Sequence, residues 1–419
     1  MFSRLVFVLV VLAAAPARAD RPAVIAAAER ALAERPHAAE EVWREISAGP
    51  LPVIEPDAED DAMARVTFAI KTRPGTPEVR LDSVVAAPLA REPVADYVRD
   101  FTLPMQRIGE SGIWWVSLDV PREVEAAYSF LVREEDGWHR WSDPHNPRHL
   151  RGSAAEAVLR LDRAPDNAPL RPWPERQRIA PDYLDLHSEA LSRRVALQVY
   201  RTPGAEAGSP LVVIYDAFLW GVRAPTWEIA ANLAASDDIP PVNIVLVDQL
   251  DPESAQRRYD DQTRFLADEL IPFLRDHAIA PQRRDIVLAG ASRRGLAAAR
   301  AALERPEAFG GVISLSGSYY WSPRGEAAEW LGRNVPAAPA EAPRFHLAAG
   351  RLEYVETTTN DGHVMLATNR RFQVALARAG YDAELRIFPG GHDIAGWRHA
   401  LAEGLVDLLG AEQKGDRSN

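Results

Sequence analysis

Leu211-Val212-Val213-Ile214-Tyr215 is apolar at every position, the pattern of a strand buried on both faces of a parallel sheet. Val242 to Val247, Asp285 to Ala289, Gly311 to Ser316, Phe345 to Ala349 and Glu384 to Phe388 predict further strands, and Arg194 to Tyr200 alternates as one. Between them the apolar period lengthens to that of helices. Trp227 to Ala235, Asp261 to His277, Gly295 to Glu304, Asn369 to Ala379 and Gly396 to Leu409 are the predicted helices. Alternation of this kind predicts an α/β sheet with helices on both faces. Ligands of such sheets bind beyond the carboxyl ends of the strands.

Upstream the pattern differs. Val24 to Ile46 has helical spacing, and Pro36 divides it into two short helices. Val66 to Ile70, Val79 to Leu81, Trp114 to Leu118 and Tyr128 to Val132 are short strand signals separated by turn residues, which predicts a β-sandwich. The last two are read as a strand pair joined through Pro121. Trp141-Ser-Asp-Pro-His-Asn-Pro147 is a turn-rich exit. Residues 163–182 hold Pro165, Pro169, Pro172, Pro174 and Pro181, the composition of a stiff linker. The expected organisation is therefore a helical segment and β-sandwich over 20–162, a linker over 163–182, an α/β domain over 183–411 and a polar tail over 412–419.

Residues 1–19, MFSRLVFVLVVLAAAPARA, have a basic start, an apolar run from Leu5 to Ala15 and a small-x-small end at Ala17-Arg18-Ala19. This is the pattern of a secretory signal peptide, with a mature chain starting near Asp20. The run is shorter than the ~20 residues that span a bilayer. Export, to the periplasm if the source is Gram-negative, is the expected destination. The net charge of −12 argues against a general nucleic-acid binder, because phosphate requires a basic field. The absence of Cys excludes a thiol nucleophile, disulfides and thiolate metal centres. Lys71 and Lys414 are the only lysines, which argues against Schiff-base chemistry. No histidine pair has zincin spacing, so neither metal nor cofactor is expected.

The informative segment is Ile286-Val-Leu-Ala-Gly290-Ala-Ser292-Arg-Arg-Gly295. An apolar strand runs into Gly-x-Ser and then an Ala-rich helix, the context of a nucleophile elbow. The usual second Gly stands one position late, at Gly295, with Arg294 in its place. A Ser that merely caps the helix is the bland alternative. Phe388-Pro-Gly-Gly-His392-Asp393 follows a strand and precedes the last helix, and the order Ser…acid…His is that of α/β-hydrolases. The acid is expected just after Phe345 to Ala349. Glu353 is preferred, with Glu356 and Asp361 as rivals. Backbone N–H groups of Arg293 and of Ala217 or Phe218 are the candidate oxyanion donors. Arg293 and Arg294, with Trp220 or Trp321 as an aromatic wall, are the candidate substrate contacts for an anionic ester.

Ala289-Gly-Ala-Ser-Arg-Arg-Gly-Leu296, Arg305-Pro-Glu-Ala-Phe-Gly-Gly-Val-Ile-Ser-Leu-Ser-Gly-Ser-Tyr-Tyr-Trp321, Gly390-Gly-His-Asp-Ile-Ala-Gly-Trp-Arg398 and Asp143-Pro-His-Asn-Pro147 resemble segments of the enterochelin esterase family. The resemblance implies an Ig-like sandwich followed by an esterase-D-like α/β-hydrolase. It implies hydrolysis of the trilactone of ferric catecholate siderophores, with Ser292 as nucleophile, His392 as base and Glu353 on the acidic loop. The chain departs from the family pattern at Ala217, at Arg294 and between Asp251 and Phe265. The alternatives are a serine carboxylesterase for another ester, or a non-catalytic binding protein on a hydrolase scaffold.

Overall fold

The structure is a computed structural model that describes residues 21–89, 102–152, 156–174, 177–248, 258–354 and 364–410. The expected signal peptide and polar tail lie outside the described residues, as do Glu356 and Asp361.

Two helices, α1 (Ala23–Glu34) and α2 (Ala39–Ile46), precede the strands. One antiparallel sheet is built from β1 (Val53–Pro56), β2 (Met63–Lys71), β5 (Gln106–Arg107) and β6 (Ile113–Pro121), in the order β1-β2-β6-β5. A second holds β3 (Val79–Ser83), β4 (Thr102–Pro104), β7 (Glu125–Glu134) and β8 (Gly137–Trp141), with β9 (Ala157–Arg160) on β7. Side chains of opposite parity on one strand go to opposite faces. Val66, Phe68 and Ile70 of β2 therefore meet Leu81, Tyr128 and Phe130 of the second sheet in one apolar cluster. Ala69 and Trp115 point the other way, against Ile25, Val42 and Ile46 of the two helices.

The expected pairing of Trp114–Leu118 with Tyr128–Val132 is corrected here. Those segments lie in different sheets: β6 pairs with β2 and β5, and β7 with β3, β8 and β9. The turn after Pro121 carries the chain across the core instead of back along one sheet. The turn-rich exit is anchored by the Tyr128 hydroxyl, which donates to Asp143 Oδ2 at 2.7 Å and accepts from Asn146 Nδ2 at 3.0 Å.

Residues 169–173 of the expected linker pack against the second domain. Leu170 and Trp173 lie on an apolar cluster that includes Leu233 and Leu405, and Asn232 Nδ2 donates to the carbonyls of Pro169 and Arg171. The second domain contains β10 (Asp182–Ser188), β11 (Arg193–Arg201), β12 (Leu211–Tyr215), β13 (Asn243–Val247), β14 (Ile286–Ala291), β15 (Gly311–Leu315), β16 (Arg344–Gly350) and β17 (Ala383–Phe388). Among the described residues they form one sheet in the order β10-β11-β13-β12-β14-β15-β16-β17. The strands from β13 to β17 in this order are parallel, and β10 and β11 are antiparallel at the edge.

Helix α3 (Thr226–Ala235) follows β12. α4 (Arg258–Arg264) continues through a π-helical stretch, Phe265–Leu270, into α5 (Ile271–Asp276). α6 (Arg293–Glu304), α7 (Trp330–Arg333), α8 (Met365–Arg378) and α9 (Ile394–Leu409) complete the domain. Two apolar clusters cover the sheet. One contains Phe265, Leu296 and Phe372, and the other contains Ile229, Trp397 and Leu401. Helices on both faces explain why the central strands read as unbroken apolar runs.

The domains meet through charge as well as apolar contact. The buried Glu125 carboxylate accepts from Arg160 of its own domain and from Arg398 of α9, and His399 Nε2 lies 3.3 Å away. Burial pushes this carboxyl up, but the contact with His399 and the charge of Arg398 outweigh it and hold it at about 2. An unfolded glutamate would take up its proton first as the pH falls. The stabilisation is therefore present above the ordinary value of 4.5 and lost as the pH falls through about 2. In Glu125→Gln, urea midpoints followed by circular dichroism should lose part of their decline over this acid range, and stability at pH 7 should drop by about 3–5 kcal/mol. An acid limb as steep as that of the native protein would contradict this assignment.

Candidate active site

Neighbouring strands in the order β12-β14-β15-β16-β17 bring the loops at their carboxyl ends to one edge of the sheet. Ala217 and Phe218 follow β12, Ser292 follows β14, Ser316 and Ser318 follow β15, Glu353 follows β16, and His392 follows β17.

Ser292 adopts φ 55°, ψ −123°, a conformation that L residues rarely hold, and its side chain makes no capping bond to α6. That geometry excludes the simple helix cap. A Cβ on Gly290 would lie 2.7 Å from the backbone of Arg294, and one on Gly295 would lie 2.5 Å from Ser314 Oγ. Both glycines therefore let the strand and helix close around the serine. The glycine one position late still serves the packing that the elbow needs, while Arg294 points elsewhere.

His392 Nε2 lies 3.1 Å from Ser292 Oγ, and its Nδ1 lies 2.5 Å from Glu353 Oε1. Since an ionised carboxylate can only accept, the imidazole donates from Nδ1 and leaves Nε2 to accept the serine proton. Glu353 is buried, and its Oε2 accepts from Ser316 Oγ at 2.8 Å and from the Gly350 N–H at 2.6 Å. Ser316 Oγ in turn accepts from Trp397 Nε1 at 2.9 Å, and the Trp397 ring meets the imidazole edge-on at 4.8 Å. Ser318 Oγ stands 3.3 Å from Ser292 Oγ. These three supporting residues escaped the sequence reading. Ser316 and Ser318 had a signal in the Ser-Gly-Ser segment after a buried strand, and Trp397 had none.

Arg293 opens α6, where a backbone N–H has no intrahelical acceptor. Asp216, at φ 73°, turns the chain after β12 so that Ala217 and Phe218 begin a helical turn beside it. Because β12 pairs with β14, the N–H groups of Ala217 and Arg293 lie at the same end of adjacent strands.

The arginines part company. Arg293 is exposed. Arg294 is half-buried, with its guanidinium 5.5 Å from the centre of the Tyr215 ring and Nη1 3.5 Å from Gln262 Oε1. Burial pushes the Tyr215 phenol up, and the Arg294 charge acts against that.

Trp321 is half-buried and packs edge-on to Tyr259 at 4.5 Å. Trp220 is only 1% exposed and packs within the apolar cluster beneath α3, so its expected place in an aromatic wall is corrected. Ala217, Trp220 and Ala224 share the buried face of one short helical segment, and Phe218, 59% exposed, takes the solvent side. Trp220→Ala should therefore cost about 3–5 kcal/mol in chemical denaturation, as for other buried aromatics. Its relative kcat/KM values for different esters should remain those of the native protein. A change in ester preference without loss of stability would return Trp220 to the substrate.

Residues 188–408 match the Esterase family. The iron(III) enterobactin esterase of Escherichia coli O6:H1 is 30% identical over 73% of this chain and 81% of its own length. The iron(III) salmochelin esterase of the same organism is 28% identical over 88% and 93%. Among solved structures, the ferric enterobactin esterase of Salmonella typhimurium superposes with a TM-score of 0.69 at 23% identity, covering 88% of this chain and 98% of that one. The likeness in structure shows a shared fold. The match to the Esterase family, together with the identity to the Escherichia coli relative, shows that this chain is a hydrolase of ester bonds and belongs to the enterobactin esterase family.

Proposed function

We propose that this protein is a serine esterase that cleaves the ester bonds of catecholate siderophores, and that it does so after export to the periplasm. The observation that carries the serine mechanism is the hydrogen-bonded chain Ser292–His392–Glu353. The substrate class rests on the relatives named for enterobactin and salmochelin, and on the solved Shigella flexneri enterobactin esterase described in the presence of enterobactin. Export rests on the apolar amino-terminal run. The paired sheets upstream are read as the Ig-like domain of this family.

In the proposed reaction Ser292 Oγ attacks the ester carbonyl as its proton passes to His392 Nε2. Glu353 holds the imidazole by Nδ1 and stabilises the imidazolium. The N–H groups of Arg293 and Ala217 receive the negative charge that develops on the carbonyl oxygen. The imidazolium returns its proton to the departing alkoxide. Water, deprotonated by His392, then releases the acyl group and restores Ser292. Iron takes no part in these steps and enters only as cargo of the siderophore.

Ser292→Ala and His392→Ala should each abolish release of dihydroxybenzoyl-serine from enterobactin, read by chromatography, while circular dichroism stays unchanged. Glu353→Ala should cost less than either, because the acid orients and stabilises but does not transfer the proton. Wild-type turnover by a folded Ser292→Ala protein would end the assignment.

Arg293 is the proposed contact to the anionic ferric catecholate, because it is exposed beside the nucleophile and its guanidinium offers several fixed donors. Arg293→Ala should lower kcat/KM for the ferric ester by about tenfold, a charge-assisted bond's worth. It should leave a small neutral ester within about twofold, and raised salt should narrow the gap. Equal losses on both esters would remove Arg293 from recognition.

A further inference from the structure

The loops that bring acid and base to Ser292 are both gripped by the sandwich. Arg351, two residues before Glu353, pairs with Glu123 at 2.9 Å. Leu352, the next residue, lies in the sandwich's own apolar cluster with Val84 and Tyr128. On the other loop, a Cβ on Gly391 would stand 2.7 Å from Val84 Cβ, so the backbone beside His392 lies directly against the sandwich. Asp393 then joins the two domains. Its Oδ2 accepts from the Ala127 N–H of β7 at 2.9 Å, and its Oδ1 accepts from the Gly396 N–H at 3.0 Å and caps α9.

His392 follows Gly390 and Gly391. Two successive glycines give the backbone more conformational freedom than any other pair, and the loop needs an external anchor to hold a side chain within hydrogen-bonding distance of two partners. Pro389 restrains one end of that loop. Asp393 is the anchor at the other, and its second partner belongs to the amino-terminal domain.

We propose that Asp393 is a positioning residue: by tying the histidine loop to the Ala127 backbone, it fixes the imidazole between Ser292 and Glu353 and makes the sandwich part of the catalytic apparatus. The inference rests on the serine-esterase reading given above. Burial raises the Asp393 carboxyl to about 6, against the opposing effect of the N–H groups of Gly396 and Ala127. The site thus keeps a carboxyl group where an apolar residue would avoid the cost of burial.

The test must separate this tie from the helix cap and from general stability. Serine is a good N-cap but too short to span to Ala127, so Asp393→Ser keeps the first bond and loses the second. Asp393→Asn keeps the length of the side chain and one acceptor. Arg151→Ala breaks a different interdomain pair, Arg151–Glu228, far along the chain from the triad loops, and serves as the stability control. Each full-length variant is assayed with 4-nitrophenyl acetate below its melting temperature, alongside the rate at which a fluorophosphonate labels Ser292.

The expected result for Asp393→Ser is a fall in kcat of about 10- to 100-fold, the scale of a misplaced catalytic group, with KM within about threefold. Labelling should slow in step, Asp393→Asn should fall between the native protein and Asp393→Ser, and Arg151→Ala should keep the native kcat. Native kcat and labelling in Asp393→Ser, or an equal kcat loss in Arg151→Ala, would overturn the proposal. If Ser292→Ala still turns over, the underlying esterase mechanism has failed. If Ser292→Ala is inactive and Asp393→Ser is fully active, only the positioning role has.

Discussion

Ser292 must hold a left-handed backbone conformation that costs about 1–3 kcal/mol, and the surrounding chain is arranged to keep it there. Its N–H donates to Leu315 O at 2.8 Å, and its carbonyl accepts from the N–H groups of Ser318 at 3.1 Å and Leu296 at 3.2 Å. The first bond reaches the last residue of β15, the second the loop after it, and the third closes the first turn of α6. Gly290 and Gly295 supply the clearance on either side. The strain is thus the means by which Ser292 Oγ comes within 3.1 Å of His392 Nε2 at the start of α6.

Everything else at the site is placed relative to that elbow. β15 supplies Ser316 and Ser318, β16 supplies Glu353, and β17 supplies His392, each from the next loop along the sheet. The carboxylate is buried, and a buried charge is tolerated only where its lone pairs are occupied. Ser316, the Gly350 N–H and His392 occupy them, and Trp397 fixes Ser316 from α9. The parallel strands set the order of these loops, and the proposed tie from Asp393 to the Ala127 N–H adds a hold on the histidine loop from the upstream sheets.

The parallel sheet was legible because strands covered on both faces leave unbroken apolar runs, as in Leu211–Tyr215. The elbow and the histidine were legible because each joins a strand to a helix through glycine. The two upstream sheets were less so. β1, β4 and β5 have two to four residues each, too few to show an alternation, and β8 is half-buried throughout. Pairing between β6 and β7 was misread because adjacency in sequence says nothing about a crossing between sheets. The i, i+3, i+7 spacing of Ala217, Trp220 and Ala224 already marked a buried helical face, which the choice of Trp220 for an aromatic wall did not use. Trp397 and Asp393 act through partners distant in sequence, and no local pattern reveals such contacts.

The central claim is that Ser292 carries the acyl group. It is tested most directly by quenching the protein in acid during turnover of a slowly hydrolysed dihydroxybenzoyl-serine ester and mapping the adduct by peptide mass spectrometry. The account predicts one acyl adduct, on the peptide containing Ser292, absent from Ser292→Ala and from His392→Gln, in which no base takes the serine proton. An adduct on another residue, or steady hydrolysis in Ser292→Ala with no adduct, would contradict it.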